Sequence, residues 1–355
     1  MDKALSVRNR WVVNWLLVGV VMVLVQILLG GVTRLTGSGL SITRWEIVTG
    51  TIPPLNHTQW QSAFDLYKQT PQYQHINAGM DMAQFKFIFF WEYVHRLWAR
   101  TMGFVFLIPF VYFLYKKQLS SSTLRRLGVV VALAALAAVF GWIMVASGLV
   151  NRPWVNAYKL TVHLGLGISL FIYLFYTWLA ERGITFITVA HGWKKAINIL
   201  IGLAVVQICF GGFVSGMKSS LLYPTWPDMN GRWIPELVLD SDHWTADAVL
   251  LYDQSGFMPA LVQVVHRNLA YILLICVLWF VVRWMRDQSV EYQWMAYLLL
   301  GIIVVQITLG ILVLLGSLGS IPVFYGALHQ VIGISLLTML FYFKIRTEAV
   351  SLMNH

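Results

Sequence analysis

Residues 85–115 read FKFIFFWEYVHRLWARTMGFVFLIPFVYFLY. The stretch is long enough to cross a hydrocarbon core of about 30 Å as one helix. Yet it carries a carboxylate, an imidazole and a guanidinium at Glu92, His95 and Arg96. Ionisable groups in hydrocarbon are costly and normally face a bundle interior or a cavity. The stretch therefore reads as a membrane span with a polar site on its inward face. Comparable apolar runs lie at 11–33, 127–148, 158–180, 196–216, 259–282, 294–317 and 323–345, which makes eight spans.

Composition agrees with this reading. Of 355 residues, 58% are hydrophobic and 11% charged, whereas a soluble domain carries about 25% charged residues. A soluble exterior cannot be built from so few charges. The 16 Trp and 15 Tyr suit aromatic belts at two membrane interfaces. The net charge of +10 does not indicate nucleic acid, because the basic residues are scattered through short loops and form no stripe. Lys3, Arg8, Arg10, Lys116, Lys117, Arg125, Arg126, Arg182, Lys194, Lys195, Arg283, Arg286, Lys344 and Arg346 all fall on one side of an eight-span chain. The positive-inside rule makes that side cytoplasmic, with both termini inside. Met1–Arg10 lead straight into a span with no cleavage signal, so a bacterial plasma (inner) membrane protein without a removed presequence is expected. Cys209 and Cys276 lie in apolar runs and read as small apolar fillers, offering neither a disulfide framework nor a thiolate site.

Two long segments, 34–84 and 217–258, then lie outside. Their Trp, Pro, Asn and Gly content predicts folded caps and not disorder. The chain also repeats. Gln26, Gly30, Gly31, Leu40 and Trp45 match Gln207, Gly211, Gly212, Leu221 and Trp226 at one offset, and Val94-His95-Arg96 recurs as Val265-His266-Arg267. His163 precedes Gly167-Ile168-Ser169-Leu170 as His329 precedes Gly333-Ile334-Ser335-Leu336. The repeat of four helices keeps its orientation, as in parallel repeats about an axis along the membrane normal. The fold class expected is all-α: a polytopic membrane protein of two pseudo-twofold-related four-helix bundles, 1–190 and 191–355.

Of nine histidines, His57, His75, His191, His243 and His355 fall in predicted loops or at the terminus and read as solvated. His95, His163, His266 and His329 fall in spans two, four, six and eight, at equivalent places in the two repeats. A single intramembrane His is commonly an interhelical hydrogen-bonding residue. A pair in each bundle, from different helices, suits axial ligation of a haem iron. A zinc or di-metal site would need further carboxylates or thiolates. Glu92 lies one turn before His95, and the second repeat has Gln263 in its place. That asymmetry suggests haem in both bundles and chemistry in the N-terminal one; the competing reading pairs Glu92 with Arg96 or Arg100 for structure. Arg96, Arg267, Arg34, Arg100 and Lys159 are candidates for haem propionates, with interfacial snorkelling as the alternative. The glycines at 30, 31, 211 and 212 read as sites of close helix packing or of approach to a flat porphyrin.

The stretches Gly30-Gly31-Val32-Thr33-Arg34-Leu35-Thr36 with Ser38-Gly39-Leu40-Ser41, Phe85-Lys86-Phe87-Ile88-Phe89, Glu92-Tyr93-Val94-His95-Arg96, Gly141-Trp142, His266-Arg267 with Ala270-Tyr271, and His329-Gln330 together resemble the haem A synthase family over nearly the whole chain. The form resembled is the mitochondrial and Gram-negative one, which lacks cysteine pairs in the outer loops. The resemblance implies oxidation of the haem O C8 methyl to a formyl group for cytochrome oxidase. It implies haem B as cofactor on His266 and His329, substrate haem O on His95 and His163, and Glu92 at the reacting methyl. Haem O synthase, an unidentified electron donor and a homo-oligomer are compatible partners. Ala99, Gln84, Gln72 and Lys159 depart from the family pattern. A bis-histidine cytochrome that only passes electrons, and a haem carrier or exporter, remain alternatives.

Overall fold

The computed structural model describes residues 9–44, 49–149 and 152–348. Lys3, Arg8, Trp45 and His355, which enter the sequence reading, lie outside the described residues. Among the described residues, eight helices are long and apolar enough to cross a membrane. They are α1 (Arg10–Leu35), α2 (Met82–Tyr115), α3 (Ser121–Ala146), α4 (Ala157–Arg182), α5 (His191–Gly216), α6 (Phe257–Asp287), α7 (Val290–Leu315) and α8 (Val323–Thr347). The chain is all-α and multi-pass. Among the described residues the only strand-like feature is one antiparallel bridge between Met229 and Arg232.

Local chemistry sets the helix starts. Asn9, Asp81, Ser120 and Asn156 each accept a first-turn backbone N–H, so α1 to α4 all begin on a polar cap. At α2 the cap is reciprocal: Asp81 accepts from the Gln84 N–H, and the Gln84 side chain accepts from the Asp81 N–H. Gln84, one of the departures from the family pattern, therefore fills its position as well as a glutamate would. The Pro109 ring is carried within α2 without ending it.

The chain divides into two compact units, Met1–Ile184 and Thr185–His355. In the first, α1 packs against both α2 and α4, and α4 packs against α3. Trp15 of α1 donates to the Val105 carbonyl, and Trp98 of α2 donates to the Met22 carbonyl, so two indoles stitch α1 to α2. Thr123 and Arg126 of α3 converge on Glu181 of α4 at 2.5 and 2.7 Å. In the second unit α5 packs on α6, α6 on α7, α7 on α8 and α8 back on α5. One end of that ring is locked by aromatics. Trp193, Phe280, Trp284 and Phe343 meet at ring separations of 4.8–5.6 Å, mostly edge to face, a geometry favoured by ring quadrupoles.

Both outer segments carry structure of their own. The first holds the helices His57–Lys68 and Pro71–His75 over a cluster of Phe64, Tyr67, Phe85 and Phe89. Gln72, buried, donates to the Gly37 carbonyl at 2.9 Å and accepts from the Tyr67 hydroxyl. Burial pushes the Tyr67 phenol up, which keeps it a neutral donor. The second segment packs Met229 and Val238 on Ala260 and Val264 of α6. His57, His75 and His191 are exposed, at helix ends and not in loops, and His243 lies beside Asp240. Cys209 is exposed on α5 and so fills no core; Cys276 is half-buried.

Replacing Gln72 with Ala strands the Gly37 carbonyl and takes the acceptor from the Tyr67 O–H, whose oxygen still accepts from Asn77, at about 1–3 kcal/mol for each unpaired group. The expected result is a lower melting temperature in detergent and faster proteolysis within 49–80, while haem content stays unchanged. Unchanged protection of that segment would reject its anchoring by Gln72.

Candidate functional site

The four span histidines lie in the N-terminal halves of α2, α4, α6 and α8. In each case the ring rests on a glycine of the preceding helix. A Cβ at Gly30, Gly141, Gly211 or Gly310 would stand 3.1, 2.9, 3.3 or 2.9 Å from the Cε1 of His95, His163, His266 or His329. These glycines make room for imidazoles. At Gly30 and Gly211 the close packing expected from sequence is thus a ring against a helix backbone.

The rings are also oriented. The Nδ1 atoms of His163, His266 and His329 lie 2.9, 3.2 and 3.0 Å from the backbone carbonyls of Ala137, Gln207 and Gln306. A proton on Nδ1 completes each bond and leaves the Nε2 lone pair for a metal, as in most metal-bound histidines. His95 differs: the Gln26 amide nitrogen sits 3.1 Å from its Nδ1 and 3.2 Å from its Nε2. In the second unit the amides of Gln207 and Gln306 approach the Nε2 atoms at 3.4 Å. The Oε1 atoms of Gln26, Gln207 and Gln306 are buried without a hydrogen-bond partner.

His95 and His163 are neighbours in the first unit, and in the second the two rings meet. His266 and His329 have ring centroids 6.4 Å apart at an interplanar angle of 76°. Metal–imidazole bonds are about 2 Å long; with the half-width of each ring added, one iron between two rings sets their centres roughly 6 Å apart. The pair fits that span. No group of three or more His, Cys, Asp and Glu is placed to hold a metal among the described residues. Two imidazoles suit a metal that brings its own equatorial ligands, as haem does.

Glu92 is buried, with 3% of its surface exposed. One carboxylate oxygen accepts from the Ser41 hydroxyl at 2.7 Å and the Ile42 N–H at 2.8 Å; the other pairs with Arg96 at 2.5 Å. A buried carboxylate stays charged only when so satisfied. Arg96 also donates to the carbonyls of Ile42 and Arg44. The second unit repeats this latch without the charge. Gln263 donates to the Tyr223 carbonyl, and Arg267 to the carbonyls of Thr225, Pro227 and Asp228. Both arginines are thus turned onto the outer segments. Of the other basic candidates, Arg34 lies one turn beyond Gly30 toward the outer segment, and Lys159 one turn before His163 on the same side. Arg100 lies beyond His95 in the opposite direction along α2.

Comparison with known proteins fits this arrangement. Residues 13–341 match the family COX15-CtaA, described as cytochrome oxidase assembly protein. The chain belongs to that family. It is 36% identical to the heme A synthase of Flavobacterium psychrophilum, over 94% of this chain and 97% of the relative. It is 39% identical to that of Nitrosospira multiformis, over 89% and 87%, and 39% identical to that of Rhodopseudomonas palustris, over 94% and 88%.

In this family member the sequence pointed to close packing at Gly30 and Gly211 but not to the imidazoles they seat, nor to the seats at Gly141 and Gly310. Val25-Gln26-Ile27 with Gly30, Val206-Gln207-Ile208 with Gly211, and Val305-Gln306-Ile307 with Gly310 share one pattern, and Ala137 with Gly141 is its fourth, amide-free version. The motif was available as a signal, since each instance sits on the helix before a histidine helix. Ser41 and Ile42 as partners of Glu92 had no such signal.

The two closest seats are the most sensitive. Overpacking costs about 1–3 kcal/mol, so Gly310→Ala is expected to lower haem retained by the purified protein roughly fivefold or more. Gly211→Ala, with 0.4 Å more room, should lose less. Equal retention by both would reject the steric role.

Proposed function

We propose that the chain is a haem A synthase, which oxidises the C8 methyl of haem O to a formyl group and so supplies haem A for cytochrome oxidase. The observation that carries the reading is a pair of neighbouring histidines in each unit beside a latch built on a carboxylate in one and on an amide in the other. The naming of its bacterial relatives as heme A synthases supports the same reaction.

His266 and His329 would hold haem B as resident cofactor. When bound, haem B would relay electrons during turnover. His95 and His163 would hold the substrate. Methyl to formyl is a four-electron oxidation: two hydroxylations give a geminal diol, and loss of water leaves the aldehyde. Within that scheme Glu92 is the catalytic candidate, holding or moving a proton beside the reacting carbon. Its tie to Ser41, Ile42 and Arg96 fixes the carboxylate in place. Arg34 and Lys159, on one side of the histidine level, are the better-placed partners for propionates in the first unit, and Arg100 would act elsewhere. The positive-inside rule sets both termini in the cytoplasm and the histidines toward the outer face. With dioxygen as oxidant, each hydroxylation would insert one oxygen atom and release the other as water, drawing two electrons from a donor; that donor and haem O synthase are the partners this reaction would need.

Glu92→Gln installs the residue that the second unit already uses at this place. Co-expressed with a source of haem O, it is expected to fold, keep its haem and lose about 100-fold or more of haem A output, read by chromatography and mass spectrometry of extracted pigments. Parental yields of haem A would reject the catalytic role. Extracts of the parent containing haem B alone would instead favour an electron-transfer cytochrome.

Loss of both His266 and His329 should abolish the low-spin spectrum of the resident haem while the eight spans still insert. A spectrum that survives both changes would reject this pair as the cofactor site.

A further inference from the structure

The two units differ in how their helices close. In the second, α6 packs along α7 and completes a ring. In the first, the corresponding helices α2 and α3 make no comparable packing among the described residues, and the order is a row: α2, α1, α4, α3. Burial gives the same answer independently. Only 6% of the most apolar window of α2 and of α3 is buried, against 28% and 17% for α6 and α7. The flanking helices carry half of the first unit's site. His95 is on α2, and α3 supplies both the Gly141 seat and the Ala137 carbonyl that orients His163.

The middle of α3 is small and apolar. Ala132, Ala134, Ala135, Ala137 and Ala138 occupy the middle of α3, and residues 131–140 include none that is buried. The equivalent stretch of α7, residues 301–307, is bulky but for Gly301. Ala137 stands where α7 has Gln306, so the amide that approaches a histidine Nε2 in the second unit has no counterpart here. At one end the seam between α2 and α3 is shut by the short turn 116–120, which is tied back to α1 by a hydrogen bond from Asn9 to Gln118. Along the rest of their length α2 and α3 make no comparable packing among the described residues.

We propose that the gap between α2 and α3 is a lateral portal, through which a membrane-dissolved porphyrin with apolar substituents passes from the bilayer to His95 and His163. This rests on the reading of that pair as the substrate site. The plane of a porphyrin needs a slot between helices and not a pore. Small residues on one wall give that slot width, while an apolar tail left in lipid loses no solvation. The closed second unit, with both amides present, suits a group that stays.

The test uses the full-length protein in lipid nanodiscs, carrying its resident haem, with haem O supplied in phosphatidylcholine vesicles. Uptake is followed as the appearance of a second bis-histidine spectrum. Ala99→Trp and Gly103→Trp on α2, and Ala134→Trp and Ala138→Trp on α3, each add a bulky ring at an exposed position on one of the two helices that bound the gap. Gly301→Trp on α7 adds the same ring in the second unit, where nothing lies within 4 Å of a Cβ. Retention of the resident haem spectrum shows that each variant is folded. The portal predicts uptake slowed on the order of tenfold in at least one α2 variant and one α3 variant, with the final occupancy reached, and parental kinetics for Gly301→Trp. Parental kinetics in all four flanking variants would overturn the portal. Failure of the parent itself to take up a second haem would instead overturn the substrate-site reading.

Discussion

A histidine among apolar helices must be given space for its ring and a partner for its N–H. This chain provides both from the backbone of the neighbouring helix. A glycine removes the Cβ that the ring would strike, and for three of the rings the carbonyl one turn away can accept a hydrogen bond from Nδ1–H. Backbone atoms of a helix are among the least mobile in a membrane protein, because every spanning residue needs its ladder bond. Rings seated this way keep their direction without depending on long side chains. The helix order, the small residues facing the rings and the direction of the paired imidazoles all follow from that need.

The latch over each site shows how one framework carries two electrostatic characters. In both units a side chain one turn before a histidine holds the outer segment, and the arginine next to that histidine donates to the same segment. Only the first unit places a full negative charge there, balanced by Arg96. The cost of burying that carboxylate is offset within a few ångströms by Ser41, Ile42 and Arg96.

Much of this was legible in the sequence. Eight spans could be read because hydropathy over about 20 residues reports directly on a bilayer, and the histidine pairs because ionisable groups in such spans are rare. The Glu92–Gln263 contrast was visible because the repeat supplies its own reference. What sequence did not give depends on three-dimensional direction. Arg96 and Arg267, candidates for propionates by residue type, turn onto carbonyls of the outer segments, and nothing in a linear pattern says which way a guanidinium points. Arg100 shares a helix with His95 but lies away from Arg34 and Lys159 along its axis. The glutamine and glycine seats were readable as a motif, but their meaning needed the ring contacts. The open edge of the first unit was not readable at all, since α2 and α3 are as apolar as their counterparts.

Each imidazole is matched to a glycine on the helix just before its own, so the smallest recurring piece is a hairpin of two helices, used four times. A lone hairpin offers one nitrogen and can grip nothing that must be held from both faces. Two hairpins make a complete clamp. The modularity of this chain therefore runs one level deeper than its halves: cutting within a half would leave orphaned grips, whereas cutting between halves would leave each clamp whole.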